Sequence, residues 1–250
     1  MEYNYYNLFL LFFIYSFLGY IVESTSVSMI EKKVVWNRGF LVGPYIPIFG
    51  TGAMTMVLTL QKYKDDVVAL FIMSMVVCLT IEYLCSLIAE KLFNLRWWNY
   101  SDKLFNINGR ICLQNGILFG LAGVLVVKYV NTWLESLIML LPNPLMITIS
   151  IILTVIFVSD VILSTHTVIK FNSSFKRYSA DNTQEVKKKI IEELQHNFLL
   201  NRLVKAFPNA KDKREYYKQL RNEYFKRMKE LHELKKKRKI KTKKQKYNIY

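Results

Sequence analysis

Three acidic residues stand inside long apolar stretches of the chain: Glu23, Glu82 and Asp160. An ionisable side chain at membrane depth costs roughly 2.5–3.5 kcal/mol or more, so each acid needs a partner, a water-filled cavity or a neutral form. Tyr45 and Asn115 lie early in two further apolar stretches, with Arg38 and Arg110 at the edges of those stretches. Carboxylates, a phenol, an amide and two guanidiniums gathered at one depth suit a cavity that binds a ligand or an ion. The same acids also suit a simpler role near the interface, reaching water or pairing with Arg38 and Arg110 to hold a bundle together. A third use is general acid–base chemistry on a lipid headgroup. Against an enzyme stands the lack of a His-rich or Cys-rich cluster. His166 is alone in its stretch, and His196 and His232 lie in a polar region. Cys78, Cys85 and Cys112, with no C-x-x-C pair, read as small buried hydrophobes. No metal or cofactor is expected.

The elements that must position these groups are membrane helices. Five stretches, 8–28, 40–60, 67–88, 111–130 and 145–169, are each long and apolar enough for the ~20 residues that cross a ~30 Å hydrocarbon core. The N-terminal residues Met1-Glu2-Tyr3-Asn4 carry no positive region and no cleavage site, so the first stretch reads as a retained span rather than a signal peptide. Residues 133–141 are apolar but too short to cross, and Asn131, Pro142 and Pro144 bracket them; they read as an interfacial or re-entrant piece. The acids lie about 15 residues along spans one, three and five, which is about 22 Å at a helical rise. Tyr45 and Asn115 reach a similar depth from the other side. The expected fold is all-α, a polytopic bundle of about five spans.

Charge divides the chain into two parts. Residues 1–169 hold ten basic and ten acidic side chains, whereas 170–250 hold 25 basic and nine acidic and so carry the whole net charge of +16. The domains expected are a transmembrane part, 1–169, and a basic tail, 170–250. The basic excess of the loops falls after spans one and three (Lys32, Lys33, Arg38; Lys91, Arg96, Lys103, Arg110), which puts that side and the tail in the cytoplasm and the N-terminus outside. Within the tail, apolar positions at helical spacing on either side of Pro208-Asn209 suggest a helical hairpin, and the Lys-rich run 235–246 suggests a disordered end. Anionic lipid is a partner such a tail could take; nucleic acid is not expected.

Two segments stand out. Residues 38–52 hold Pro44, Pro47 and the glycines 39, 43, 50 and 52. Prolines break a helix and free backbone groups that bind ions or substrates, while the glycines equally allow close helix packing. The loop 94–110 is rich in aromatic and amide side chains, among them Trp97 and Tyr100. It reads either as a headgroup-level belt or as a lid over the polar layer.

Several of these segments resemble a known family. They are Tyr15-Ser16-Phe17-Leu18-Gly19-Tyr20 with Glu23, then Asn37-Arg38-Gly39-Phe40-Leu41-Val42-Gly43-Pro44 with Pro47-Ile48-Phe49-Gly50, then Trp97-Trp98-Asn99-Tyr100-Ser101 with Phe105-Asn106-Ile107-Asn108-Gly109-Arg110-Ile111-Cys112-Leu113. Together they look like the ABC-transporter type IV family, also called CmpB-like, over roughly residues 8–125. Tyr20 stands where Trp is common, Phe49 for Tyr and Asn99 for Asp. The resemblance implies a permease subunit. No G-x-x-x-x-G-K-[ST] motif is present, so such a permease needs a separate ATPase subunit. No Glu-Ala-Ala-type docking loop for that ATPase is found either. The leading reading is a permease-like transporter with a cytoplasm-facing polar site made of Glu23, Tyr45, Glu82, Asn115 and Asp160. Arg38, Arg110, Trp97 and Tyr100 would stand around it. A lipid-headgroup enzyme and a non-transporting scaffold or sensor are the alternatives.

Overall fold

The computed structural model describes residues 4–32, 34, 39–93, 97–180, 199 and 202. Among them the only ladder contact is an isolated bridge between Ile107 and Ile111; the rest is helix and connecting loop. Helix α1 (Tyr5–Glu31) starts where the Asn4 side chain accepts from the Asn7 N–H at 3.0 Å, and ends at Lys32, whose φ of 50° turns the chain out of the helix. Helix α2 (Pro47–Leu60) opens on a proline, whose missing donor costs nothing in a first turn. Helix α3 (Val67–Phe93) begins where the Asp66 carboxylate accepts from the N–H groups of Val68 and Ala69. Helix α4 (Leu113–Leu125) passes through a single wide turn, Val126–Val130, into α5 (Asn131–Met139). Helix α6 (Asn143–Ala180) closes the order.

The bundle is apolar on its outward faces, and several small or polar residues lie buried between its helices beside the apolar core, as suits helices that lipid surrounds. The buried positions of α3 are Leu70, Ser74, Cys78, Glu82, Ser86 and Ala89, a stripe at a spacing of three to four, while Val76, Leu84, Ile88 and Leu92 point outward. The facing stripe on α4 is Gly116, Gly120 and Gly123. A Cβ on Gly123 would stand 2.2 Å from the Ser74 side chain, so the two backbones approach as closely as glycine allows. Leu10, Leu11 and Tyr15 of α1 pack with Ala53, Met54 and Val57 of α2 and with Leu134 and Ile138 of α5.

Contacts along the helices set their directions. The Gly50 position of α2 abuts Phe12 and Ser16, whereas Val57 shares a cluster with Leu10 and Leu11, so α2 runs antiparallel to α1. Gly52 faces Cys78, and Leu60 packs with Leu70, so α2 is antiparallel to α3 as well. Ser150 donates to the Tyr6 carbonyl and Phe157 touches the Phe9 and Phe12 rings, so α6 runs with α1. Thus α1, α3 and α6 run one way; α2 and the α4–α5 helix run the other.

One expectation needs correction, that for residues 133–141. Among the described residues, four helices are long and apolar enough to cross a membrane, Tyr5–Met29, Val67–Phe93, Leu113–Met139 and Asn143–Lys170. The stretch 40–60 is not a single span-length helix: only its last 14 residues are helical, about 21 Å long. Pro44 and Pro47 are the physical reason, since neither supplies a backbone donor. Residues 133–141 are no separate interfacial piece, because most of them continue the α4 helix as α5. Asn131 does not break the chain there. Its amide oxygen accepts from Tyr15 OH at 3.1 Å and its amide nitrogen donates to Glu135 at 2.7 Å, which fixes it inside the helix. The tail hairpin and the Lys-rich end fall outside the described residues.

Candidate functional site

The polar groups collect in two places. The first is built on the non-helical segment 39–46. Tyr45 N–H donates to the Gly43 carbonyl at 2.9 Å, closing a three-residue turn on Pro44 that folds the phenol back. A Cβ on Gly43 would lie 2.2 Å from that ring, so only glycine leaves it room. The rings of Phe13 and Phe157 hold Tyr45 from either side. Ile46 N–H donates to the Ser16 carbonyl at 2.9 Å and pins the end of the segment to α1.

Asp160 of α6, only 8% exposed, meets this segment with both oxygens. Oδ1 accepts from Val42 N–H and from Ser164 Oγ, each at 2.9 Å. Oδ2 accepts from Gly43 N–H at 2.7 Å and Tyr45 OH at 2.6 Å. These four short donors satisfy both oxygens of the carboxylate. The Arg202 guanidinium donates to two carbonyls of the same segment, Leu41 at 2.5 Å and Phe40 at 2.8 Å.

The second place is Glu82, 6% exposed on α3. Its Oε1 accepts from Tyr100 OH at 3.1 Å and lies 3.5 Å from the Asn115 amide nitrogen. Its Oε2 is buried with no hydrogen-bond partner. Glu23 of α1 is near enough to act on Glu82 and Tyr100 through its charge. Burial, then the neighbouring Glu82, pushes the Tyr100 phenol well above its ordinary value, so it stays a donor.

Tyr100 owes its position to the loop that carries it. Tyr100 N–H donates to the Gly109 carbonyl at 2.8 Å, and Gly109 N–H to the Asn106 side chain at 3.0 Å. The Asn106 amide donates back to the carbonyls of Ser101 and Lys103. Asn108 and Gly109, at φ 52° and 64°, make the left-handed turn that only such residues take readily. The loop is thus cross-linked on itself and covers Glu82.

The structure therefore groups Glu82, Tyr100 and Asn115 with Glu23 nearby, and separately groups Tyr45 with Asp160. Trp97 enters neither cluster; its ring stacks on Phe40 at 5.0 Å and on Phe93 at 6.1 Å, bracing segment 39–46. Arg110 is turned to Glu90 at 2.8 Å and Ser86 at 3.0 Å, so the acid it pairs with is Glu90. Arg38 falls outside the described residues. Sequence reading missed Ser164 and Arg202. Ser164 sits one turn beyond Asp160, a weak signal that a helix could have given, whereas nothing marked Arg202 among the basic residues around it. Among the described residues, no three of His, Cys, Asp and Glu gather as a metal site requires, and His166 lies exposed on α6.

A family model described as "Putative ABC-transporter type IV" matches residues 10–165, more than half the chain. This span includes both clusters apart from Arg202. No curated protein and no solved structure matches the chain.

Proposed function

The chain belongs to the ABC-transporter type IV family, and on that premise we propose that it is a permease-like membrane subunit whose polar site opens to the cytoplasm. Glu82 carries the reading. A carboxylate whose Oε2 is buried without a partner sits inside a membrane-spanning helix, and a purely structural acid would be expected to satisfy both oxygens, as Asp160 does. Tyr100 and Asn115 leave that oxygen as the position for a ligand atom, and the folded loop 97–112 serves as its lid.

In this reading the N-terminus is outside and the tail is cytoplasmic, because the basic loops follow α1 and α3. That orientation requires α2 to cross together with its non-helical entrance. Its helix supplies about 21 Å and the eight residues before it supply the rest. Segments surrounded by other helices can cross in this irregular form. The energy source is a separate ATPase subunit, since the sequence holds no P-loop motif. Anionic lipid beside the basic tail is a further partner in this picture.

Affinity purification of the full chain from its native membrane tests the proposal. A co-purifying ATPase whose turnover falls when Glu82 is replaced by Gln is expected. A preparation that retains its partners but holds no ATPase would overturn the permease role.

A further inference from the structure

Segment 39–46 uses its backbone in two ways. Its amides at Val42 and Gly43 face Asp160, while its carbonyls at Phe40 and Leu41 face the Arg202 guanidinium. Outside a helix these two carbonyls have no amide one turn on to receive them, so they stand as acceptors for something else. Val42, Ser164, Thr167 and Leu199 line the recess around the guanidinium. Burial works against the guanidinium's charge, and nearby Asp160 offsets part of that cost.

The two carbonyls do not depend on Arg202 for their aim. Phe40 is stacked on Trp97, and Val42 and Gly43 are fixed by Asp160, so Phe40 and Leu41 are held from both flanks. Two acceptors held side by side, next to a carboxylate, match the planar fork of a guanidinium better than the single centre of an ammonium. Broken membrane helices bind cations through such freed carbonyls. Arg202 itself lies 161 positions from Leu41 in sequence, well beyond the last apolar stretch.

We propose that the Phe40 and Leu41 carbonyls with Asp160 form a guanidinium-binding site, filled in this conformation by the chain's own Arg202, which a ligand bearing a guanidinium group displaces. Binding here requires no transport, so the site is testable apart from the permease role.

The test uses the full chain in detergent, with methylguanidinium as probe and methylammonium at equal concentration as control. Arg202→Ala vacates the site, so methylguanidinium at saturation is expected to raise its unfolding midpoint by about 2–4 °C over the control. The wild type, already filled, is expected to respond less. Equal responses in the two proteins, or no response in Arg202→Ala, would overturn the site. Should Arg202→Ala not yield folded protein, Arg202→Lys keeps the charge but not the fork, and the same comparison decides. An absent ATPase with a positive result here sinks the permease role and leaves this site standing; the reverse pair of results does the opposite.

Discussion

The Tyr45 hydroxyl donates to the Asp160 carboxylate across 2.6 Å, joining the entrance of α2 to the middle of α6 over 115 positions of sequence. Tyr45 is one of four donors on that carboxylate, so the two residues should differ sharply when changed. Removing the phenol oxygen in Tyr45→Phe leaves three donors in place and should cost about 1–2 kcal/mol. Asp160→Asn is worse. Whichever way the amide turns, its nitrogen faces two donors, so it should cost about 3–5 kcal/mol by leaving buried groups unpaired. Unfolding midpoints of the two variants in detergent check the order; a Tyr45→Phe loss equal to that of Asp160→Asn would contradict it.

Close helix approach yields a paired prediction within one helix. A Cβ at Gly50 would lie 2.1 Å from Ser16 Oγ and 2.6 Å from the Phe12 carbonyl, which is backbone and cannot move aside. Gly50→Ala should therefore push α1 and α2 apart and cost about 1–3 kcal/mol. At Gly52 the nearest atom is Cys78 Sγ at 3.8 Å, an ordinary contact. Gly52→Ala should be neutral or stabilising by up to about 1 kcal/mol, because alanine loses less entropy than glycine in a helix. Parallel thermal unfolding of the two variants reads the contrast.

Gly43 and Gly50 also show how far the sequence could be read. Both appeared in it as small residues suited either to a broken helix or to close packing, and the structure divides the roles: Gly43 serves the turn, Gly50 the contact with α1. The apolar stretches and their approximate places were legible because hydrocarbon solvation acts on each stretch alone. The α3–α4 seam has a sequence signal too, Gly116-x-x-x-Gly120, whose positions abut Met75 and Leu79, and Phe71, of α3. Glu82, Tyr100 and Asn115 could be chosen by residue type, since polarity at depth is rare. Their separation from Asp160 could not, because it depends on which face of each helix meets which neighbour. Arg202 was hidden for a different reason. Its partners are backbone carbonyls, which every residue carries, so no side-chain pattern announces the contact.

Tyr100 gives a pH prediction. Burial and the adjacent Glu82 raise its phenol above the ordinary value of 10. A group whose folded value is raised contributes stability that is complete below its unfolded value and lost as pH rises toward the folded one. The wild type should therefore lose stability as pH climbs past about 10, with a steeper slope than Tyr100→Phe, which has no proton to lose at that site. Denaturation followed from pH 8 to 11 on both proteins measures the difference in slope. Identical slopes would mean that Tyr100 is not enclosed with Glu82.

Glu82→Gln separates a structural acid from a working one. The amide keeps the length of the side chain and an oxygen that can accept from Tyr100, while removing a charge that lacks a partner on Oε2. Burying a neutral group costs less than burying an ion, so the variant should be at least as stable as the wild type. Asn115 gives a control from the same cluster. Its nitrogen is 3.5 Å from Glu82, a marginal contact, so Asn115→Ala should cost no more than about 1 kcal/mol. If Glu82 serves a ligand, Glu82→Gln keeps the fold and loses the stimulation of the partner ATPase. A Glu82→Gln protein that is both stable and fully active would reduce Glu82 to a tolerated buried acid and remove it from the site.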